Sequence, residues 1–408
     1  MENSFQDLNS LKESRDFLNI LINNINSAIL ISDDQFRIEG FNDTLKKMLQ
    51  KDNADIKNKL CGNLLGCSFA VEENKPCGET SNCHSCMLRL KIKISLSLQL
   101  STIRNVLKRD FYINGNKEEK YIEFTIKPLT YNDKIYSLVI LDDITTLEKQ
   151  KEKLRTQNAE ITDSISYAKM LQDAMIPTDE ILKEFFSDYF IFYQPKDIIG
   201  GDFYWIKKAA NRIIIAVADC TGHGVPGAFL SVLGITQLDE IILKNQNIRV
   251  DEILSQLRTN IIKTLHQKGD DAVLDDGMDI AIISYNIDSS EIEYSGAYNS
   301  IFHIHNHQLE EIEADQMPIG IYNCDRPFSL KKFRVSKGDI IYLFSDGYAD
   351  QFGGTEGKKF KYSSFRNLFL EHHKKSLKKQ KSIIKDIFNN WKGTNDQVDD
   401  ILIVGIRF

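Results

Sequence analysis

The sequence predicts an α+β chain: an antiparallel sheet with helices, one long connecting helix, then a larger region of two sheets flanked by helices. Three observations carry this. Strand-like runs divided by turn signals fill the first region, residues 1–145. Residues 146–176 contain neither Gly nor Pro, and short β-rich runs alternate irregularly with helical stretches over 177–408. At 408 residues the chain exceeds one ordinary domain, and 42 % hydrophobic with 27 % charged residues excludes a largely disordered one.

In the first region a short amphipathic helix begins near Phe17, followed by the strand-like ILISDDQFRIEGFN and short helices. Three strands are expected at 103–113, 120–129 and 134–141. Asn114-Gly115-Asn116 and Asn132-Asp133 separate them, as turn residues separate the strands of an antiparallel meander. Residues 146–176 then read as one helix that Pro177 stops. A heptad frame puts Leu147, Leu154, Ile161, Ala168 and Met175 at one seam position, and Lys151, Asn158, Ile165 and Gln172 at the other. A half-polar seam suits a parallel homodimer whose register is set at a cost in stability; a solvated linker helix explains the same periodicity.

The last region contains IIIAVAD, DIAIISYN, EIEYSGAY, IFHIHN, DIIYLFSD and DILIVGIRF as strands, with helices near 226–246, 250–268 and 362–390. Its Lys-rich stretch 372–385 reads as one solvated helix face. Lys and Arg number 51 against 58 Asp and Glu, a net charge of −7, which excludes the electrostatic footprint of a nucleic-acid binder. No stretch reaches the roughly 18 apolar residues of a membrane helix, and the polar first residues do not read as a signal peptide, so the expected location is cytoplasmic.

The chemistry lies where the aspartates sit. Asp202 follows Gly200-Gly201, Asp219 ends IIIAVAD before Cys220-Thr221-Gly222-His223-Gly224, Asp346 ends IIYLFSD before Gly347, and Asp399 and Asp400 open the terminal strand. One carboxylate at a strand end is usually a turn or a cap. Four brought together make an oxygen-rich site suited to Mg²⁺ or Mn²⁺ rather than zinc.

GGDFYW, ADCTGHGVPGAF, MPIG, FSDGYADQFGG and VDDILIVGI, in this order, resemble the SpoIIE-type bacterial metal-dependent Ser/Thr phosphatases of the PPM fold over residues 177–408. The resemblance implies an αββα sandwich with two Mn²⁺ or Mg²⁺ ions. It implies that Asp219 bridges them with the Cys220 carbonyl as a further ligand, that Asp202 serves one ion, and that Asp346 and Asp399 serve the other. A metal-bound hydroxide would then be the nucleophile. Leu402 stands where the family has a Thr, and Ala297 where larger relatives keep an acid for a third ion, although Asp279 in DGMD offers an extra carboxylate. His223 is a candidate general acid; between two glycines it also serves to shape the turn.

The first region resembles a PAS domain, on Asn42 after FRIEGF and on the closing Asp143-Ile144-Thr145. Five of the seven cysteines fall within the insert at 61–86, four of them in a C-x9-C-x5-C-x2-C pattern: Cys67, Cys77, Cys83 and Cys86, with Cys61 in addition. Such spacing can hold Zn²⁺ or an iron–sulfur cluster; buried or reactive thiols are the alternative. These readings lead to a regulated phosphatase with a phosphorylated protein substrate, by analogy an anti-sigma-factor antagonist. An inactive domain acting as a protein-binding module is the rival, and a histidine kinase is excluded because residues 146–176 contain no His.

Overall fold

The computed structural model describes residues 15–267, 276–322 and 326–408. Cys324 lies outside the described residues, as does the start of the chain. Two compact units divide at Ala159 and Glu160, inside the long helix.

In the first unit, β1 (Ala28–Ser32), β2 (Ile38–Phe41), β3 (Thr102–Ile113), β4 (Asn116–Tyr131) and β5 (Lys134–Asp143) form one antiparallel sheet in the order β2-β1-β5-β4-β3. The expected meander is its larger half. Alternation in β4 sends Ile122, Phe124 and Ile126 into the core, where Leu30, Ile38, Val139 and Leu141 meet them. Leu88 and Ile92 of the helix Met87–Leu98 join that core. Asn42 caps the helix Asp43–Leu49 by accepting from Leu45 N, accepts from Ile29 N, and donates to the carbonyls of Ile22 and Ser27. That use of all its polar atoms explains an Asn there. At the exit, Asp143 accepts from the backbone and hydroxyl of Thr145, whose oxygen accepts from Tyr121 N at 2.9 Å.

The helix Thr145–Met175 runs unbroken as the Gly- and Pro-free stretch requires. Leu147, Leu154 and Ile161, the apolar seam positions, are 58 to 61 % exposed in the single chain.

In the second unit, β6 is Asp188–Gln194, β7 Phe203–Ala209, β8 Arg212–Cys220, β9 Met278–Asn286, β10 Glu291–Ala297, β11 Ile301–His305, β12 Gln308–Ile312, β13 Lys331–Arg334 and β14 Ile340–Phe344. A short hairpin, β15 (Phe352–Gly353) and β16 (Lys358–Lys359), precedes β17 (Ile401–Arg407). They build two five-stranded sheets, β13-β10-β9-β8-β7 and β12-β11-β14-β17-β6. Strand period two sorts the side chains. Ile213, Ile215 and Val217 of β8 meet Leu402, Val404 and Ile406 of β17 between the sheets. Ile214, Ala216, Ala218 and Cys220 face the helices Gly224–Lys244 and Val250–Thr264. Ile401 and Ile403 face Tyr362–His372 and Leu377–Lys392. The layers are therefore αββα.

Two expectations need correction. The helix expected over 362–390 is two helices broken at 373–376, where Ser376 caps the second. The Lys-rich face is only half solvated, since Leu377, Gln380, Ile384 and Phe388 are buried. The helix Gly224–Lys244 is long and apolar enough to cross a membrane. Nine of its residues are buried, and its apolar ones pack here against β7 and β8.

Candidate active site

Five of the aspartates singled out in the sequence converge at one end of the inter-sheet layer. Asp219 is the penultimate residue of β8, and its register partner on β9 is Asp279. Directly opposed residues share a face, so the two carboxylates lie side by side. Asp219 is also within hydrogen-bonding reach of both Asp202 and Asp346. Asp399 adds its charge to the same group.

Glycines let the loops close this tightly. A Cβ on Gly201 would come 2.7 Å from the Gly222 carbonyl, and one on Gly227 would strike the same oxygen and approach the Gly201 Cα to 2.9 Å. The Gly200–Asp202 and Thr221–Gly224 loops thus abut backbone to backbone. A Cβ on Gly347 would strike the Asp400 carbonyl.

Two residues that sequence reasoning did not separate out hold this arrangement. Asp400, buried, accepts from Gly201 N at 2.5 Å and from Lys196 N at 2.7 Å, tying the terminal strand to the Asp202 loop. Ser345, also buried, donates to Asp202 at 2.5 Å and accepts from Leu402 N at 3.0 Å. The tandem Asp399-Asp400 showed two acids but not their different uses, and a Ser in FSDG carries no distinctive signal.

Burial, then the charges of Asp202, Asp346, Asp399 and Asp279, push the Asp219 carboxyl well above the usual range. Burial also raises Asp202, where Ser345 pulls the other way and Asp400 and Asp399 push further. Asp279 is raised to about 7 by burial and by Asp346. Asp346 is raised by burial and by Asp350 and Asp399, against a weak opposing pull from Lys359, itself 2.8 Å from Asp350. Neither Lys nor Arg is among the principal influences on Asp202, Asp219 or Asp279. Buried carboxylates gathered with so little cationic compensation, and without a sulfur or imidazole donor among them, suit hard divalent cations.

The Cys220 side chain belongs to the opposite, helix-facing core, and burial raises its thiol further from ionisation. It is no nucleophile. His223 sits at the start of the helix Gly224–Lys244, with Nδ1 2.7 Å from Asp197 and Nε2 2.8 Å from the Lys196 ammonium. A cavity of about 320 Å³ opens beside Asp279 and Asp346, walled by Tyr298, Asn299 and Tyr362.

Residues 209–408 match the family described as Stage II sporulation protein E (SpoIIE), and residues 26–146 match the PAS domain family. The chain carries a SpoIIE-type phosphatase domain behind a PAS domain. It is 24 % identical over 266 residues to the phosphoserine phosphatase RsbU of Bacillus subtilis, covering 64 % of this chain and 74 % of that protein. The solved SiaA-PP2C domain of Pseudomonas aeruginosa is 28 % identical, with a TM-score of 0.57, and matches 62 % of this chain and 98 % of its own. The SpoIIE-type phosphatase domain is an enzyme of the metal-dependent serine/threonine class. Its family match begins at Ala209, so Asp202 and the Gly200-Gly201 turn stand just ahead of it.

Proposed function

We propose that this protein hydrolyses phosphoserine or phosphothreonine on a partner protein, of the anti-sigma-factor-antagonist kind, under control of its PAS domain in the cytoplasm. The carboxylate cluster carries the reading. Asp219 would bridge two Mn²⁺ or Mg²⁺ ions with the Cys220 carbonyl beside it, Asp202 would serve one, and Asp346 and Asp399 the other. Asp279 adds a further carboxylate. When bound, the ions lower the pKa of a water and stabilise charge on the attacking and leaving oxygens.

The protein's own groups do the rest. Asp400 and Ser345 fix Asp202, so the ligand set is assembled before substrate arrives. In this reading His223, oriented by Asp197 through Nδ1, takes a proton on Nε2 from solvent once Lys196 turns aside and gives it to the leaving serine oxygen. The groove beside Asp279 and Asp346 admits a phosphorylated side chain from a protein surface.

Control would pass through the linker helix as a parallel homodimer. The exposed apolar positions Leu147, Leu154 and Ile161 support pairing, whereas Gln172, expected on the polar seam, is buried where the helix ends on the active-site loop. Buried Gln172 donates at 2.7 Å both to the Gly200 carbonyl and to Ser231 Oγ. Among the described residues, Gln172 Oε1 and the Tyr193 hydroxyl beside Gly200 find no hydrogen-bond partner. A contact only partly satisfied is one that a shift of the helix can exchange for another. Displacing Gln172 would then move the turn that carries Asp202.

The test is phosphate release from a phosphoserine peptide by the EDTA-stripped full chain, with and without Mn²⁺. The reading requires release on adding Mn²⁺ and little from a phosphotyrosine peptide. A metal-indifferent rate, or none, rejects it.

A further inference from the structure

The five clustered cysteines take no part in phosphate chemistry, yet they converge on one cavity of about 30 Å³ in the N-terminal unit. Local structure puts them there. Cys61 opens the helix Cys61–Leu65, Cys67 precedes Ser68–Glu72 and bridges to Phe111 of β3, and Cys86 precedes Met87–Leu98. Cys77 and Cys83 lie on the segment between. All five thiols are free.

The surroundings are arranged toward sulfur. Gly78, held at φ +115°, points its N–H at Cys83 Sγ at 3.0 Å, and the Thr80 hydroxyl is 2.9 Å from the same atom. Arg109 Nη1 lies 3.6 Å from Cys67 Sγ and 3.5 Å from Cys86 Sγ. Arg89, stacked 4.0 Å over Phe36, donates to the Cys77 carbonyl. Gly62 leaves the room that Cys77 needs, since a Cβ there would come 2.6 Å from its sulfur. Two guanidinium groups against a thiol-lined cavity, with backbone and hydroxyl donors on one sulfur, match bound thiolates rather than neutral thiols.

We propose that Cys67, Cys77, Cys83 and Cys86 hold an iron–sulfur cluster in this cavity. Spacing separates it from zinc. Tetrahedral zinc, with Zn–S bonds of about 2.3 Å, brings its sulfurs to roughly 3.8 Å from one another. Among the described residues no three cysteine sulfurs lie within 4.8 Å of one another, and the void is between them. A cluster puts iron and bridging sulfide between its thiolates and so spaces them further apart, while N–H···S bonds and nearby cations set its potential. Cys61, 4 % exposed and outside the C-x9-C-x5-C-x2-C pattern, stays a thiol.

The full chain purified without oxygen decides this by its content of iron, acid-labile sulfide and zinc, read with the visible spectrum before and after dithionite. Expected are iron and sulfide in equal amounts and a broad absorption that bleaches on reduction. Cys83→Ser should lose the iron and Cys61→Ala should keep it. Stoichiometric zinc without sulfide, neither metal, or full iron in Cys83→Ser overturns the proposal. The wild-type composition is read directly, so a variant that fails to fold cannot imitate the result. Phosphate release does not enter the measurement, and so the cluster and the phosphatase reading can fail separately.

Discussion

Asp219 and Asp279 oppose each other across β8 and β9, an arrangement that like charges ordinarily disfavour. Replacing Asp219 by Asn removes the carboxylate within hydrogen-bonding reach of both Asp202 and Asp346, and an amide binds hard cations poorly. We expect Asp219→Asn to cut Mn²⁺-dependent turnover by roughly a hundredfold or more, while the melting temperature of the metal-free protein stays level or rises. Normal turnover in this variant would remove Asp219 from the site. Ser345→Ala should act through position. It leaves Leu402 N and one Asp202 oxygen without their partner inside the fold, a loss of about 1–3 kcal/mol. Weaker Mn²⁺ affinity should accompany the lower unfolding midpoint, and unchanged affinity would show that Ser345 only packs. The pH dependence follows from the same carboxyls. Asp279 has its folded pKa raised to about 7, so its contribution to stability is complete below the unfolded carboxyl range and is lost as pH climbs through 7. The EDTA-stripped protein should therefore lose stability between pH 5 and 7.5 faster than Asp279→Asn, by up to about 1.4 kcal/mol per pH unit. Parallel melting curves for the two proteins would contradict the shift. At this scale the four aspartates were readable because an acid at the end or start of an apolar run is a local pattern, with glycines beside Asp202 and Asp346. Asp400 as a latch was not, because its partners Gly201 and Lys196 lie about two hundred positions away in the chain.

At the scale of elements, the linker helix carries the regulatory proposal. Its apolar seam is exposed and its last turns end on Gly200, so rotation of the helix would reach the loop carrying Asp202. One residue inserted after Gln157 turns the downstream helix by about 100° and misaligns the seam, whereas seven restore the heptad phase. Phosphatase rate should change strongly with one inserted residue and much less with seven, alongside dimerisation followed by sedimentation. A flat response would make the helix a passive tether. This helix was legible from the lack of Gly and Pro and from Pro177. The strands β6 and β7 were not placed as strands, because DYFIFYQ and FYWIKKA are short and lack clean alternation. The break at 373–376 was missed because HHKKS contains neither Gly nor Pro, and Ser376 marks it only as a cap.

For the whole molecule, the αββα layering follows from β8 and β17, whose two faces are both apolar, so each sheet must be covered on both sides. The architecture was therefore readable in outline, while strand order was not, since β17 inserts between β14 and β6 through contacts spanning the domain. The layering leaves the acidic cluster at the end of the inter-sheet core, where burial raises the carboxyl pKa values and cations are scarce. The proposed site holds two divalent ions. A calorimetric titration of the EDTA-stripped full chain with Mn²⁺ counts them directly. Two ions per chain are expected in the wild type, with tight binding lost in Asp219→Asn. A single ion in the wild type, or two bound as tightly after Asp219→Asn, would contradict it.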